Sequence, residues 1–273
     1  MAKHKANLPD IQATPDTRGL AIDQVGVSDL RYPIKVLDRH GEAFPTVAKI
    51  SMSVYLPHHF KGTHMSRFLE VLSKHEGEVT MRTLPDILHD LKKRLDAEEA
   101  HIEVAFTYFV NKKAPVSGAS AKVACDCIFQ GTSNGKTDDF VLCVTVPVTT
   151  LCPCSKEISE YGAHNQRGYV TLEVRPRPKA HGWELILIED LIDIAERSGS
   201  APVYALLKRT DERFVTMQAY DNPVFVEDVV RNAAALLGSD KRVMSYTVKA
   251  VNHESIHDHN AFATIMGSNT IDS

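Results

Sequence analysis

Between Cys152 and His164 the chain reads CPCSKEISEYGAH, which gathers two thiols, carboxylates and an imidazole into one short polar stretch. Soft sulfur and borderline nitrogen donors beside an acid suit a divalent transition metal, and a thiolate in the same setting suits nucleophilic chemistry. Packing supplies no reason for Cys-Pro-Cys at that place. A second donor-rich stretch, NHESIHDHNAF, carries His253, Glu254, His257, Asp258 and His259. His257 and His259 stand two apart, so in extended backbone they face the same way. Two carboxylates lie between these stretches. Glu212, in KRTDERFVT, reads equally well as part of an exposed, ion-paired face. Glu227, in NPVFVEDVV, opens a helix, where the helix dipole favours an acid whatever its function. A carboxylate there can also accept two parallel N–H bonds from a planar heterocycle. Lys61, Lys156 and Arg167 are cations available to a phosphate chain, and each also suits a solvated surface.

The elements that must position these groups show in the apolar pattern. Ala48 to Leu56 alternates as a half-buried strand, with Ile50, Met52, Val54 and Leu56 on one face. Helices follow at about His64–Ser73 and from Thr83 to about Leu95, the second with Pro85 in its first turn. Three β-patterned stretches come next: His101–Val110, Ala121–Gln130 and Phe140–Val148, the last running into the Cys/His stretch. A strand at Gly168–Arg175, helices at about Glu184–Arg197 and Asn222–Leu237, and strands at about Lys241–Val251 and Asn260–Met266 complete the chain. Strand, two helices and strands thus occur twice in order, without visible repetition of sequence. The pattern predicts an α+β fold with antiparallel sheets, each with a pair of helices. The expected division is a loose arm over 1–30, a first module over 31–155 and a second over 156–273. A single continuous domain is the competing organisation.

Composition narrows the function classes. The 273 residues are 43% hydrophobic and 24% charged, as in a soluble globular protein able to bury a core without staples. A net charge of −4, from 35 acids against 31 bases, argues against a nucleic-acid partner, which needs cations to displace counterions. No apolar run approaches the ~18 residues of a transmembrane helix, and the N-terminus lacks a signal peptide's apolar core, so a cytoplasmic protein with no membrane partner is expected. Five cysteines without an export signal imply free thiols. Cys125, Cys127 and Cys143 lie in β-patterned segments and read as small buried hydrophobes. Cys152 and Cys154 lie outside any apolar periodicity and read as functional.

Four stretches together, TTLCPCSKEISEYGAHNQRG, KGTHMSRF, NPVFVEDVVR and NHESIHDHNAF, resemble the type IB GTP cyclohydrolase I family. The similarity runs through nearly the whole chain beyond the N-terminal arm. It implies two tandem tunnelling-fold (T-fold) modules and a homo-oligomer, a tetramer with active sites between subunits. The implied reaction takes GTP and water to 7,8-dihydroneopterin triphosphate and formate, with one divalent metal per site (zinc, manganese or ferrous iron) and no organic cofactor. Carried over motif by motif, Cys152 is the metal-site thiolate, with Glu212 and His257 as co-ligands. His164 is a further ligand or proton carrier, Glu227 anchors guanine, and Glu254 and His259 line the site. Two other readings stand beside this one. In the first, a T-fold nitrile reductase uses Cys152 as a covalent nucleophile with NADPH and no metal. In the second, a non-catalytic binding module is held together by zinc; the absence of paired CxxC knuckles speaks against it.

Overall fold

The computed structural model describes residues 9–12, 14–75, 78–135, 137–180 and 182–269. The strands are β1 (Ile22–Leu37), β2 (Ala43–Leu56), β3 (Ala100–Lys113), β4 (Ser120–Ser133), β5 (Asp138–Leu151), β6 (Asn165–Pro176), β7 (Ala201–Pro202), β8 (Val243–His253) and β9 (Ala261–Ser268). The helices are α1 (Met65–Lys74), α2 (Leu84–Leu95), α3 (Pro153–Ile158), α4 (Ile188–Ser198), α5 (Arg209–Asp221) and α6 (Val226–Ser239). Among the described residues the strands form one antiparallel sheet in the order β1-β2-β3-β4-β5-β6-β8-β9, with β7 paired to β5. The α+β expectation holds, and the helices gather on one face. There α1 and α2 bury Phe68, Leu72, Leu88 and Leu91 against the β1–β4 region, while α4 and α6 bury Leu191, Ile192 and Val229 against the β5–β9 region. Each such side chain contributes roughly 1.5–3 kcal/mol on burial. The strands alternate between this buried face and a partly exposed one, as the burial pattern of β3 shows.

The structure departs from the sequence reading in several places, among them α6, which begins at Val226 and not at Asn222, and the unexpected short helix α3. Residues 22–30, expected to belong to a loose arm, form the first part of the edge strand β1. Their alternation is hidden by a register shift between Val27 and Leu30, where Asp29 adopts a left-handed conformation. Gly26 is required beside it, because a Cβ there would lie 1.9 Å from the Met52 carbonyl oxygen. The KRTDERFVT segment is the start of a helix, α5, whose described residues bury only Asp211 and Ala219, so no apolar stripe announces it. Helix α4 begins at Ile188, four residues after the expected Glu184; Glu184–Leu187 run irregularly, with Leu185–Leu187 along the edge of a cavity.

Candidate active site

Cys152 and His164 are brought together by strand register. In the β5–β6 hairpin Thr149 faces Arg167, Thr150 faces Gln166 and Leu151 faces Asn165. The next rung pairs Cys152 with His164, and the Cys152 N–H donates to the His164 carbonyl at 3.2 Å. Direct cross-strand partners hold their Cβ atoms roughly 4.5–5.5 Å apart on one face, and the backbones of Cys152 and His164 are opposed in this way just beyond the end of the ladder. The residues between them fold back as α3. Cys152 is its N-cap, Pro153 takes the first position where no N–H is missed, and the Ser155 N–H points at the Cys152 sulfur, 3.4 Å away. The Ser155 hydroxyl accepts from the His164 N–H at 3.2 Å and closes the loop.

The imidazole is oriented from behind. Buried Thr150 and Gln166 form the rung beneath, and the Gln166 amide N–H donates to Thr150 Oγ1 at 3.0 Å. This leaves Gln166 Oε1 as the acceptor 2.9 Å from His164 Nδ1. An acceptor at that place suits the tautomer with its proton on Nδ1, which leaves Nε2 as the nitrogen for a metal. Gln166 stands two residues after His164 on a strand; that spacing was the available signal, and sequence reasoning gave it no role.

Other elements converge on the same end of β5. The Val224 N–H donates to the Leu151 carbonyl at 3.0 Å, which sets the first turn of α6, with exposed Glu227, beside Cys152. The Ser200 hydroxyl accepts from the Leu151 N–H at 2.9 Å, and Asn222 donates to the Gly199 carbonyl at 3.0 Å. The loop after β8 arrives from the other side. Ser255 Oγ lies 3.4 Å from His164 Nδ1, and in that loop, which bends and is not extended, the rings of His257 and His259 stack 5.1 Å apart. Both are exposed, and Glu254 is half-buried. Gly168 keeps a rung open here, because a Cβ would lie 2.9 Å from Oδ1 of buried Asn252.

Lys156 sits on α3, where its N–H donates to the Cys152 carbonyl at 3.2 Å, and the other predicted site residues lie elsewhere in the chain. Lys156 donates to the Tyr220 carbonyl at 2.5 Å and sits over the Tyr220 ring, bracing the end of α5. Glu212 is exposed in the first turn of α5, eight residues and about 12 Å of helical rise from Tyr220. Arg167 projects from the opposite face to Gln166, into a groove with Lys122, Tyr169 and Tyr204. Lys61 follows β2, whose end pairs through Ala100 and Ser133 to Asp138, the start of β5. Cys152 follows the other end, about 40 Å of strand length away. Among the described residues no three His, Cys, Asp or Glu side chains gather closely enough to hold one ion. By their chemistry Cys152 and His164 fit as a soft and borderline donor pair.

The free thiols divide as their patterns suggest. Burial pushes the Cys125 thiol up to about 12 and the Cys143 thiol up to about 11, and Cys127 is raised further in the same direction, so these three are inert. Cys152 is half-buried and Cys154 exposed.

Residues 8–263 match the family model of type I GTP cyclohydrolase folE2. The chain belongs to this family. Among curated relatives, the GTP cyclohydrolase FolE2 of Syntrophotalea carbinolica is 54% identical over 256 residues, covering 94% of each chain. That of Methylobacillus flagellatus is 51% identical, covering 94% of this chain and 95% of the relative. Among solved structures, a highly active mutant of Bacillus sp. TB-90 urate oxidase matches with a TM-score of 0.54 at 10% identity, over 91% of this chain and all of that one. Uricase from Arthrobacter globiformis matches at 0.51 and 7% identity, over 91% of this chain and 93% of that one. At such identities the likeness shows a shared fold and nothing of the chemistry. No helix among the described residues is long and apolar enough to cross a membrane.

Proposed function

We propose that the chain is a GTP cyclohydrolase, opening the imidazole ring of GTP with water to give 7,8-dihydroneopterin triphosphate and formate at the head of folate and pterin synthesis. The observation that carries this reading is the cross-strand pair Cys152–His164, with the first turn of α6 tied to the adjacent Leu151. Glu227 on that turn accepts the paired N–H groups of guanine, and the purine then lies beside the thiol and imidazole. His164, held through Nδ1 by Gln166, presents Nε2, while His257 and His259 on the loop at Ser255 move protons during ring opening and loss of formate. Cys152 and His164 would hold one divalent ion, zinc, manganese or ferrous iron, with Glu212, Glu254 and His257 as further donors. Such an ion, when bound, supplies a water whose pKa falls from 15.7 to roughly 7.

The predicted donors stand on separate elements, and we read the protein as a homo-oligomer, a tetramer with sites between subunits. Lys61 and Glu212 then belong to sites on other copies. The open edge strand β9, with Phe262 and Met266 70% and 77% exposed, suits such an assembly. We also read the fold as two tandem T-fold modules, β1-β2-α1-α2-β3-β4 and β5-β6-α4-α6-β8-β9, with α5 inserted in the second. A junction between Ser133 and Asp138 keeps the β5–β6 hairpin whole, whereas one at 155 would divide it.

Purified protein incubated with GTP and each of zinc, manganese and ferrous iron should release formate and a fluorescent pterin. Cys152→Ala should abolish turnover and leave the melting temperature within a degree or two of wild type. No formate with any of the three metals, or wild-type turnover in Cys152→Ala, would overturn the assignment.

A further inference from the structure

A cavity of about 230 Å³ lies at the other end of β5 from the Cys152 pair. Its floor includes Phe129, Phe140 and Leu142, and Leu142 precedes Cys152 by ten residues, about 33 Å of strand. One wall is the segment Leu185–Ile188 entering α4, and another is Thr80–Arg82 before α2. The floor side chains are buried in the core, and Phe140 packs between Phe129 (5.8 Å between ring centroids) and Trp183 (5.3 Å). An apolar void of roughly 150 Å³ already binds a benzene-sized molecule, and this one is larger.

Three charged side chains stand at its edge. Asp38 turns Oδ1 to the backbone, accepting the His40 and Glu42 N–H groups at 2.8 Å each in the β1–β2 turn. Arg39 pairs with Asp193 at 2.9 Å. Arg82, exposed on the opposite wall, has no ion-pair partner among the described residues. An apolar, aromatic-floored cavity with one uncommitted guanidinium at its edge matches a ligand of complementary build.

We propose that this cavity binds a small aromatic carboxylate, its one- or two-ring body on Phe129 and Phe140 and its carboxylate paired with Arg82. The site is separate from the Cys152–His164 chemistry and does not depend on the reading of that site.

Calorimetric titration of the full chain with naphthalene-2-carboxylate tests it, with naphthalene-2-methanol as the uncharged control. The acid should bind one per chain, at least tenfold more tightly than the alcohol. Arg82→Glu should weaken the acid at least tenfold and leave the alcohol unchanged, and Met81→Trp, which fills the cavity, should remove both. Each variant is checked for a wild-type melting curve, and Arg82→Gln replaces Arg82→Glu if that variant does not fold. No binding to wild type, equal affinity for acid and alcohol, or binding untouched by Met81→Trp would overturn the proposal.

Discussion

Gln166 decides which nitrogen of His164 faces outward, because its own amide N–H is committed to Thr150 and only its oxygen remains for the ring. Gln166→Leu keeps the bulk and removes the acceptor. Partners of this kind typically tune a metal site by 10–100-fold, so the variant should bind zinc about 10–100-fold more weakly with an unchanged melting temperature. Competition against a chromophoric chelator reads this directly, and wild-type affinity would reduce Gln166 to a packing residue. Glu227 is argued on a different basis, since its exposure leaves the helix dipole as the rival explanation. Glu227→Ala should weaken GTP binding by roughly 2–4 kcal/mol if a charge-assisted pair with guanine is lost. Equilibrium binding to the inactive Cys152→Ala background measures it, and an unchanged affinity would assign Glu227 to the helix alone.

At the level of elements, α5 is held by its first turn more than by its face. Fully buried Asp211 accepts the Val116 and Ser117 N–H groups and the Lys208 N–H at 2.8 Å each, and the Ser117 hydroxyl at 2.6 Å. It thereby ties the β3–β4 turn to the start of the helix that bears Glu212. Desolvation alone would raise its pKa; the bonds from Ser117, Lys208 and Val116 prevail and hold the carboxyl well below its ordinary 3.8. A depressed folded-state pKa contributes stability that is complete above the unfolded value and is lost as pH falls through the folded one. Asp211→Asn should therefore melt below wild type at neutral pH, and the gap should narrow as pH drops below about 4. Melting curves from pH 7 down to pH 3 test this; a gap that widens on acidification would contradict the assignment. The other face of α5 leaves Phe214, Met217 and Tyr220 39–48% exposed.

Across the whole molecule the predicted donors stand on separate elements. Cys152 and His164 meet by register within one hairpin, whereas Glu212 stands on the first turn of α5 and Lys61 at the far end of the sheet. If Glu212 serves a neighbouring subunit's site, Cys152→Ala and Glu212→Ala protomers, each inactive alone, should regain turnover when unfolded together and refolded as mixed oligomers. Light scattering on the mixture confirms assembly. Mixed oligomers without activity would return Glu212 to its own chain's site or exclude it altogether.

Most of the fold was legible because its signals are local. Period-two alternation marks β2 to β6, 3.6-residue spacing marks α1, α2, α4 and α6, and both follow from how side chains leave a strand or helix. The family was likewise legible in the residues themselves. β1 and α5 were not legible, because a bulge at Asp29 interrupts one alternation and exposure removes the apolar stripe of the other. The tertiary structure alone decided that Cys152 faces His164, that Gln166 orients the ring, and that Lys61 and Glu212 stand away from both. Those relations depend on strand register and on which ends of the sheet meet, and such pairings are made between residues far apart in the chain.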